Sequence, residues 1–185
     1  MTASAQTGTL TGTWEIDPAH SFAEFAVRHM MVATAKGRFT KVAGTIRLDE
    51  ANPAASSVDA TIETASIDTG QPQRDAHLRT DDFFNAEQHP ELTFRSTRVE
   101  SVDDTRAKVY GDLTIRDVTK EVPLEVEYLG QIKDPYGKQR AGFVVETTIN
   151  RMEFGLKWNA LLETGGAVVS DRVRVTLNIE ATKQQ

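Results

Sequence analysis

Asp17, His20 and Ser21 stand within one five-residue stretch of IDPAHSFAEFAVRHMM (Ile16 to Met31), and His29 follows nine positions after His20. An acid, a base and a hydroxyl this close raise two chemistries: a serine nucleophile activated through histidine, and a histidine-ligated metal. The serine chemistry needs nucleophile and base within hydrogen-bond reach, with the base oriented by a third group. His20 and Ser21 are neighbours in a segment of extended type, where successive side chains point to opposite faces. No Gly-x-Ser-x-Gly turn exists to present a serine. For a metal, the odd offset puts His20 and His29 on opposite faces, about 30 Å apart at ~3.3 Å per residue. His77 and His89 belong to a later segment. Zero cysteines remove thiolate ligands and cysteine nucleophiles. No catalytic residue, metal or cofactor is expected.

The elements that carry these residues have a period of two. Ser21, Ala23, Phe25, Val27 and His29 form one row, apolar in its middle and expected to face inward; His20, Phe22, Glu24, Ala26 and Arg28 form the other. His29 ends the inward row, either donating into the interior or satisfied by a backbone carbonyl. VPLEVEY sets Val122, Leu124, Val126 and Tyr128 against Pro123, Glu125 and Glu127. RVRVTLNIE sets Val173, Val175, Leu177 and Ile179 on one face, and KVYGDLTI does the same with Val109, Gly111, Leu113 and Ile115. Such alternation marks half-buried antiparallel strands. Similar segments near 12–17, 20–29, 37–49, 58–67, 92–99 and 141–149 bring the total to about eight or nine. Strands with one apolar face must close on themselves or pair as a sandwich, so the chain is read as all-β.

Two regions break the rhythm. Met30 to Ala35 holds helix formers and is expected to make one or two helical turns before Gly37. Asp68 to Leu92 contains a short helix over Arg74 to Arg79, with Thr80 able to N-cap a further turn. With Phe83 and Phe84 it reads as a cap over one barrel end. No linker or repeat divides residues 1–185, so a single domain is expected, with 1–11 as a flexible tail.

Composition excludes several partners. A net charge of −6 over 185 residues argues against nucleic acid, which calls for clustered Lys and Arg. No run of about 18 apolar residues spans a membrane. MTASAQTGTLTG has neither a basic start nor an apolar core, so no secretory signal is read and a cytoplasmic location is expected.

In order along the chain, WEIDPAHSFAEFAVRHMM, GRFTKVAGTIRLD, SSVDATIETASIDTG, RDAHLRTDDFFNAEQHPELTFRSTRV, VYGDLTIRDVTKEVPLEVEY, INRMEFGL and DRVRVTLNIEA resemble the YceI-like, or polyisoprenoid-binding, proteins. The resemblance runs from about Gly12 to Ala181. It implies an extended, lipocalin-like, eight-stranded antiparallel barrel whose apolar interior holds a long-chain amphiphile such as a polyisoprenoid, a quinone tail or a prenyl phosphate. Family members are often exported to the periplasm, whereas no signal is seen here.

The inward faces alone fit either a cavity or a solid core. Gly44, Ala60, Gly111 and Ala23 favour space, while Phe25, Ile46, Ile62, Phe94, Leu113, Ile115, Leu124 and Phe143 can fill it. With the resemblance, Ala23, the bulky residues from Phe25 to Phe143 just named, and Val27, Phe83 and Phe84 become candidate ligand contacts. His29, Arg74, His77, Arg79, Arg151 and Trp158 become candidates for the polar mouth. Arg74 and Arg79 suit a phosphate head, or else pair with Asp75, Asp81 or Asp82. Trp158 either lines the opening or plugs the end. A non-enzymatic lipid carrier is the expectation; the alternatives are an enzyme acting on such a chain, with His29 as its inward base, and a filled, homodimeric interaction module.

Overall fold

The computed structural model describes residues 9–159 and 168–185. Eleven strand segments and one helix follow in order: β1 (Gly12–Ile16), β2 (Phe22–His29), β3 (Ala33–Phe39), β4 (Val42–Leu48), β5 (Ser57–Glu63), β6 (Ile67–Asp68), α1 (Pro72–Leu78), β7 (Glu91–Ser101), β8 (Arg106–Ile115), β9 (Val118–Lys133), β10 (Gln139–Asn150) and β11 (Val169–Lys183). Every pairing is antiparallel. β1, β4, β5, β7, β8, β9, β10 and β11 form a ring of eight, closed where Trp14 meets Lys183 and Ile16 meets Ala181. β2, β3 and β6 continue the same sheet past one rim. Among the described residues no helix is long and apolar enough to cross a membrane.

One edge of β11 serves two strands. Its C-terminal part pairs β1, and its middle pairs β2 from Val173–Val27 to Asn178–Phe22. Between them lies the turn at Asp17–Ser21, and here the serine has a structural use. Ser21 Oγ accepts from Glu180 N (3.0 Å) and donates to Glu180 O (3.2 Å), while Asp17 N donates to that same oxygen at 2.7 Å. The hydroxyl mends the ladder where the strand is interrupted, so few backbone groups of this buried junction go unpaired.

Met30 to Ala35 makes no helix. Met30 and Met31 have φ of 51° and 65°, and Val32 N donates to His29 O (3.3 Å). This is a tight hairpin turn with both central residues left-handed, leading straight into β3. The conformation suits Asn-Gly and costs a side-chain-bearing residue about 1–2 kcal/mol. Pairing of β2 with β3 along seven positions, from Ala23–Phe39 to His29–Ala33, overrides the helix propensity of the methionines.

Nor do the inward glycines widen the interior. A β-carbon at Gly111 would lie 2.3 Å from Phe94 Cζ, and one at Gly37 would lie 2.5 Å from Phe25 Cζ. Each glycine is the seat of an aromatic ring from the neighbouring strand. Gly44 admits the β5 backbone, with Asp59 O only 2.3 Å from a β-carbon built there.

The cap differs from expectation in detail. α1 starts at Pro72, whose fixed φ suits a first helical turn, rather than at Arg74. Thr80 Oγ1 donates to His77 O (2.6 Å), so its side chain closes α1 rather than capping the next turn, while its carbonyl opens that turn by accepting from Phe83 N (3.0 Å) and Asn85 N (2.9 Å). Phe39 links cap to barrel: its ring meets Phe25 at 5.7 Å and Phe84 edge-on at 5.5 Å. At the other end Leu10 packs against the core and accepts from Trp14 Nε1 (2.8 Å). The N-terminal tail expected over residues 1–11 is therefore packed by Leu10, and residues 1–8 lie outside the described residues.

Candidate ligand-binding cavity

The inward rows converge on a cavity of about 560 Å³, within the roughly 300–1,000 Å³ of small-molecule sites. Alternation puts Ala23, Phe25 and Val27 of β2, Ile46 of β4, Ile62 of β5, Phe94 of β7, Leu113 and Ile115 of β8, Leu124 of β9 and Phe143 of β10 on its wall. Phe83 and Phe84 reach it from the cap, and Arg151 from the turn after β10. Val109, Val122, Val126, Tyr128, Val173, Val175, Leu177 and Ile179 also lie on the wall. They lie on rows that the alternation reveals, although the sequence reading did not single them out as contacts. Along β11 the lined stretch from Val169 to Ile179 spans about 30 Å of strand, which makes the space elongated.

Five of the sequence candidates lie off this wall. His29 ends β2 at the hairpin, paired with Ala33 and Val169, and the cavity stops short of it. Arg74 is exposed and donates to Thr69 Oγ1 (2.8 Å) and Thr69 O (2.9 Å). His77 is hydrogen-bonded through Nε2 to Asp82 (2.8 Å), with Trp158 and Phe83 edge-on at 5.0 and 5.2 Å. Trp158 packs on the cap, its ring 5.4 Å from that of Phe83: it plugs the end rather than lining an opening. Arg79, also proposed for a phosphate, holds Ala65 O (3.1 Å) and Ile67 O (3.0 Å). Neither Arg74 nor Arg79 pairs with Asp75, Asp81 or Asp82. Asp75 instead accepts from Thr69, and Asp81 pairs with Arg116. These arginines satisfy backbone carbonyls of the segment leading into the cap.

Arg151 is buried, only 3% exposed. Nε donates to Ser170 O (2.8 Å), one terminal nitrogen to Leu156 O (2.5 Å) and Trp158 O (2.8 Å), and the other to Val169 O (3.1 Å). Burial lowers its pKa from the ordinary arginine value. It ties the end of β10 to the start of β11 and closes the cap end of the cavity.

Polar groups gather at the opposite end. Asp49, Glu50 and Ser56 from the β4–β5 loop face Ser101, Asp103, Asp104, Thr105 and Arg106 from the β7–β8 turn. Arg106 is committed to Asp103 at 2.7 Å, which holds that carboxyl at about 2. Burial raises the Tyr128 hydroxyl above its ordinary pKa, with the Glu50 charge adding to the shift.

The YceI-like domain model matches residues 14–181. The chain belongs to this family. It is 39% identical over 166 residues to the protein YceI of Escherichia coli O157:H7, covering 90% of this chain and 83% of the relative. A UPF0312 protein of Pseudomonas aeruginosa is 39% identical over 165 residues, covering 89% and 83%. Among solved structures, a Campylobacter jejuni YCEI protein superposes with a TM-score of 0.72 at 31% identity over 85% of this chain and 90% of that one. Burkholderia cenocepacia BcnA gives 0.79 at 24% identity, over 90% and 99%. A polyisoprenoid binding domain from Saccharophagus degradans gives 0.66 at 17% identity, over 92% and 98%. The two latter likenesses bear on the fold alone.

Outside the YceI-like barrel, Asp17 and His20 do meet. His20 Nδ1 lies 2.8 Å from Asp17 Oδ2, and Glu180 brings a third ligand-type atom close by. Arg140 already occupies this cluster, bonding Asp17 (2.8 Å), Glu180 (2.9 Å) and Asp134 (2.7 Å). A guanidinium thus stands where a metal would have to. The hydrogen bond from His20 and those from Arg140 and Ala19 N hold Asp17 at about 2, and the Asp17 and Glu180 charges raise the His20 pKa. Ser21, buried on the opposite face, takes no part.

Proposed function

We propose that the chain binds one long-chain apolar amphiphile, a polyisoprenoid or quinone-like molecule, inside the barrel and stores or carries it without chemical change. The observation that carries this reading is the elongated cavity of about 560 Å³ walled by aliphatic and aromatic side chains. An isoprenoid tail needs only dry surface, at roughly 25 cal/mol per Å² removed from water, and a few polar groups at one end fix its head. The polyisoprenoid-binding description of the Saccharophagus degradans domain agrees with it.

Of the head groups considered, an uncharged one fits better than a phosphate. The polar end carries Asp49, Glu50, Asp103 and Asp104, and its arginine is neutralised by Asp103. Arg151 is held by four carbonyls. A carrier is favoured over the enzyme alternative that takes His29 as its base, because the cavity stops short of His29.

Organic extraction of purified protein with mass spectrometry should return an isoprenoid-type lipid. Added prenol or quinone should raise the thermal midpoint more than the matching prenyl diphosphate does. Absence of bound lipid together with no thermal shift from any of the three would end the carrier reading. A larger shift from the diphosphate would reverse the head-group assignment.

A further inference from the structure

The β2–β3 turn presents Met30, Met31 and Val32 to solvent at 45%, 56% and 84% exposure. Three contiguous exposed apolar residues at a hairpin tip are unusual, and two of them hold left-handed backbone that Asn-Gly would occupy without strain. Nothing in the packing of the barrel calls for methionine there. The outer face behind the tip is basic. Register sets Arg174, Ala26 and Lys36 in one row across β11, β2 and β3, with Arg28 one step nearer the tip and Arg38 one step behind. Arg172 lies on β11 beside Asn150. All five cations are exposed, and among the described residues Arg28, Lys36, Arg172 and Arg174 form no ion pair. The nearby acids are Asp171 beside Arg172, and Glu146, Glu24 and Asp68, which share the row of Arg38 behind the patch. The face is therefore a cationic patch on a chain of net charge −6.

An apolar tip backed by unpaired cations matches an interfacial surface. The tip can enter the boundary between headgroups and acyl chains while the cations meet lipid phosphates. We propose that this hairpin docks the protein on an anionic lipid bilayer. Val27, two residues before His29, and Val169, the ladder partner of His29, belong to the cavity wall, so docking brings the cap end of the barrel to the membrane. The proposal does not depend on what the cavity holds.

Sedimentation of the full chain with large vesicles of phosphatidylglycerol and phosphatidylcholine in equal parts, against phosphatidylcholine alone, tests it. Binding is expected on the anionic vesicles, weakening as salt rises. Met30→Asn with Met31→Gly should lower partitioning on the order of tenfold while raising the thermal midpoint, a pairing of effects that a structural role for the methionines would not give. Arg28→Gln, Lys36→Gln and Arg174→Gln together should lower it at least tenfold, at roughly fivefold per cation. Tyr136→Ser, at the other end of the barrel, should leave it unchanged. Equal binding to both vesicle types, no binding to either, or loss caused by Tyr136→Ser overturns the proposal. So does a dimer on size exclusion that the Met30/Met31 variant dissolves without any vesicle binding, which would give the tip to a second copy of the chain.

Discussion

The ring of Phe94 occupies the space that any side chain at position 111 would need, for a β-carbon there would stand 2.3 Å from Phe94 Cζ and 2.6 Å from Arg95 O. The first contact can yield by ring movement, whereas the second is backbone. Gly111→Ala should therefore cost about 1–3 kcal/mol by overpacking, and Phe94→Ala about 3–5 kcal/mol by truncation. Combining them should recover only part of the Gly111→Ala loss, because Arg95 O stays in place. Urea titrations of the three variants check this.

Arg151→Met should cost about 3 kcal/mol or more. It strips the donors from the carbonyls of Leu156, Trp158, Val169 and Ser170, at about 1–3 kcal/mol for each group left buried and unpaired. Arg151→Lys should rescue little, since one ammonium cannot reach four acceptors spread around a planar fork. A urea midpoint for the lysine variant close to wild type would show that charge, not geometry, matters there.

Stability should respond to pH through Asp17 and His20 with opposite signs. The folded His20 pKa is raised, so its contribution is full below the ordinary value near 6.5 and disappears as pH rises through the higher folded value. The folded Asp17 pKa is lowered to about 2, so its contribution is full above the ordinary 3.8 and disappears as pH falls toward 2. His20→Gln should flatten the alkaline step and also weaken the acid one, because the His20 hydrogen bond is the largest of those that hold Asp17 low. In NMR titrations the His20 ring should shift at a higher pH than a free histidine, and Asp17→Asn should bring it back.

Filling the cavity should separate ligand capacity from folding. Leu113→Trp or Val175→Trp projects an indole into open space, where added volume meets less resistance than in a packed core. Circular dichroism and the urea midpoint should stay near wild type while the thermal shift from added prenol falls. A variant that keeps the full prenol response would move the site out of the barrel.

Much of the barrel wall is legible in the sequence because a strand residue's face depends only on parity. Once Phe25 is set inward, Ala23 and Val27 follow, and the same holds for the rows on β8, β9 and β11. The cap end is far less legible. Arg74 and Arg79 carry the chemistry for a phosphate, but a guanidinium serves a backbone carbonyl equally well. The carbonyls of Ala65, Ile67 and Thr69 become acceptors only through the path of the chain. Met30 and Met31 have helix propensity, and nothing local shows that β2 must turn back onto β3 after His29. Asp17 and Arg140, 123 residues apart, meet only when β1 and β10 come to flank β11. In each case local preference lost to a partner distant in sequence.

The strand that closes the ring is made last. β11 joins β10 to β1 and also carries β2 on the same edge, so until residues 169–183 leave the ribosome the first and tenth strands have no common neighbour. A nascent chain halted before β11 would expose the inner wall and two unpaired strand edges, a state prone to aggregation. Pairing between the ends of the chain is also slow to form. Synthesis of this barrel should therefore depend on holding chaperones more than its modest size suggests.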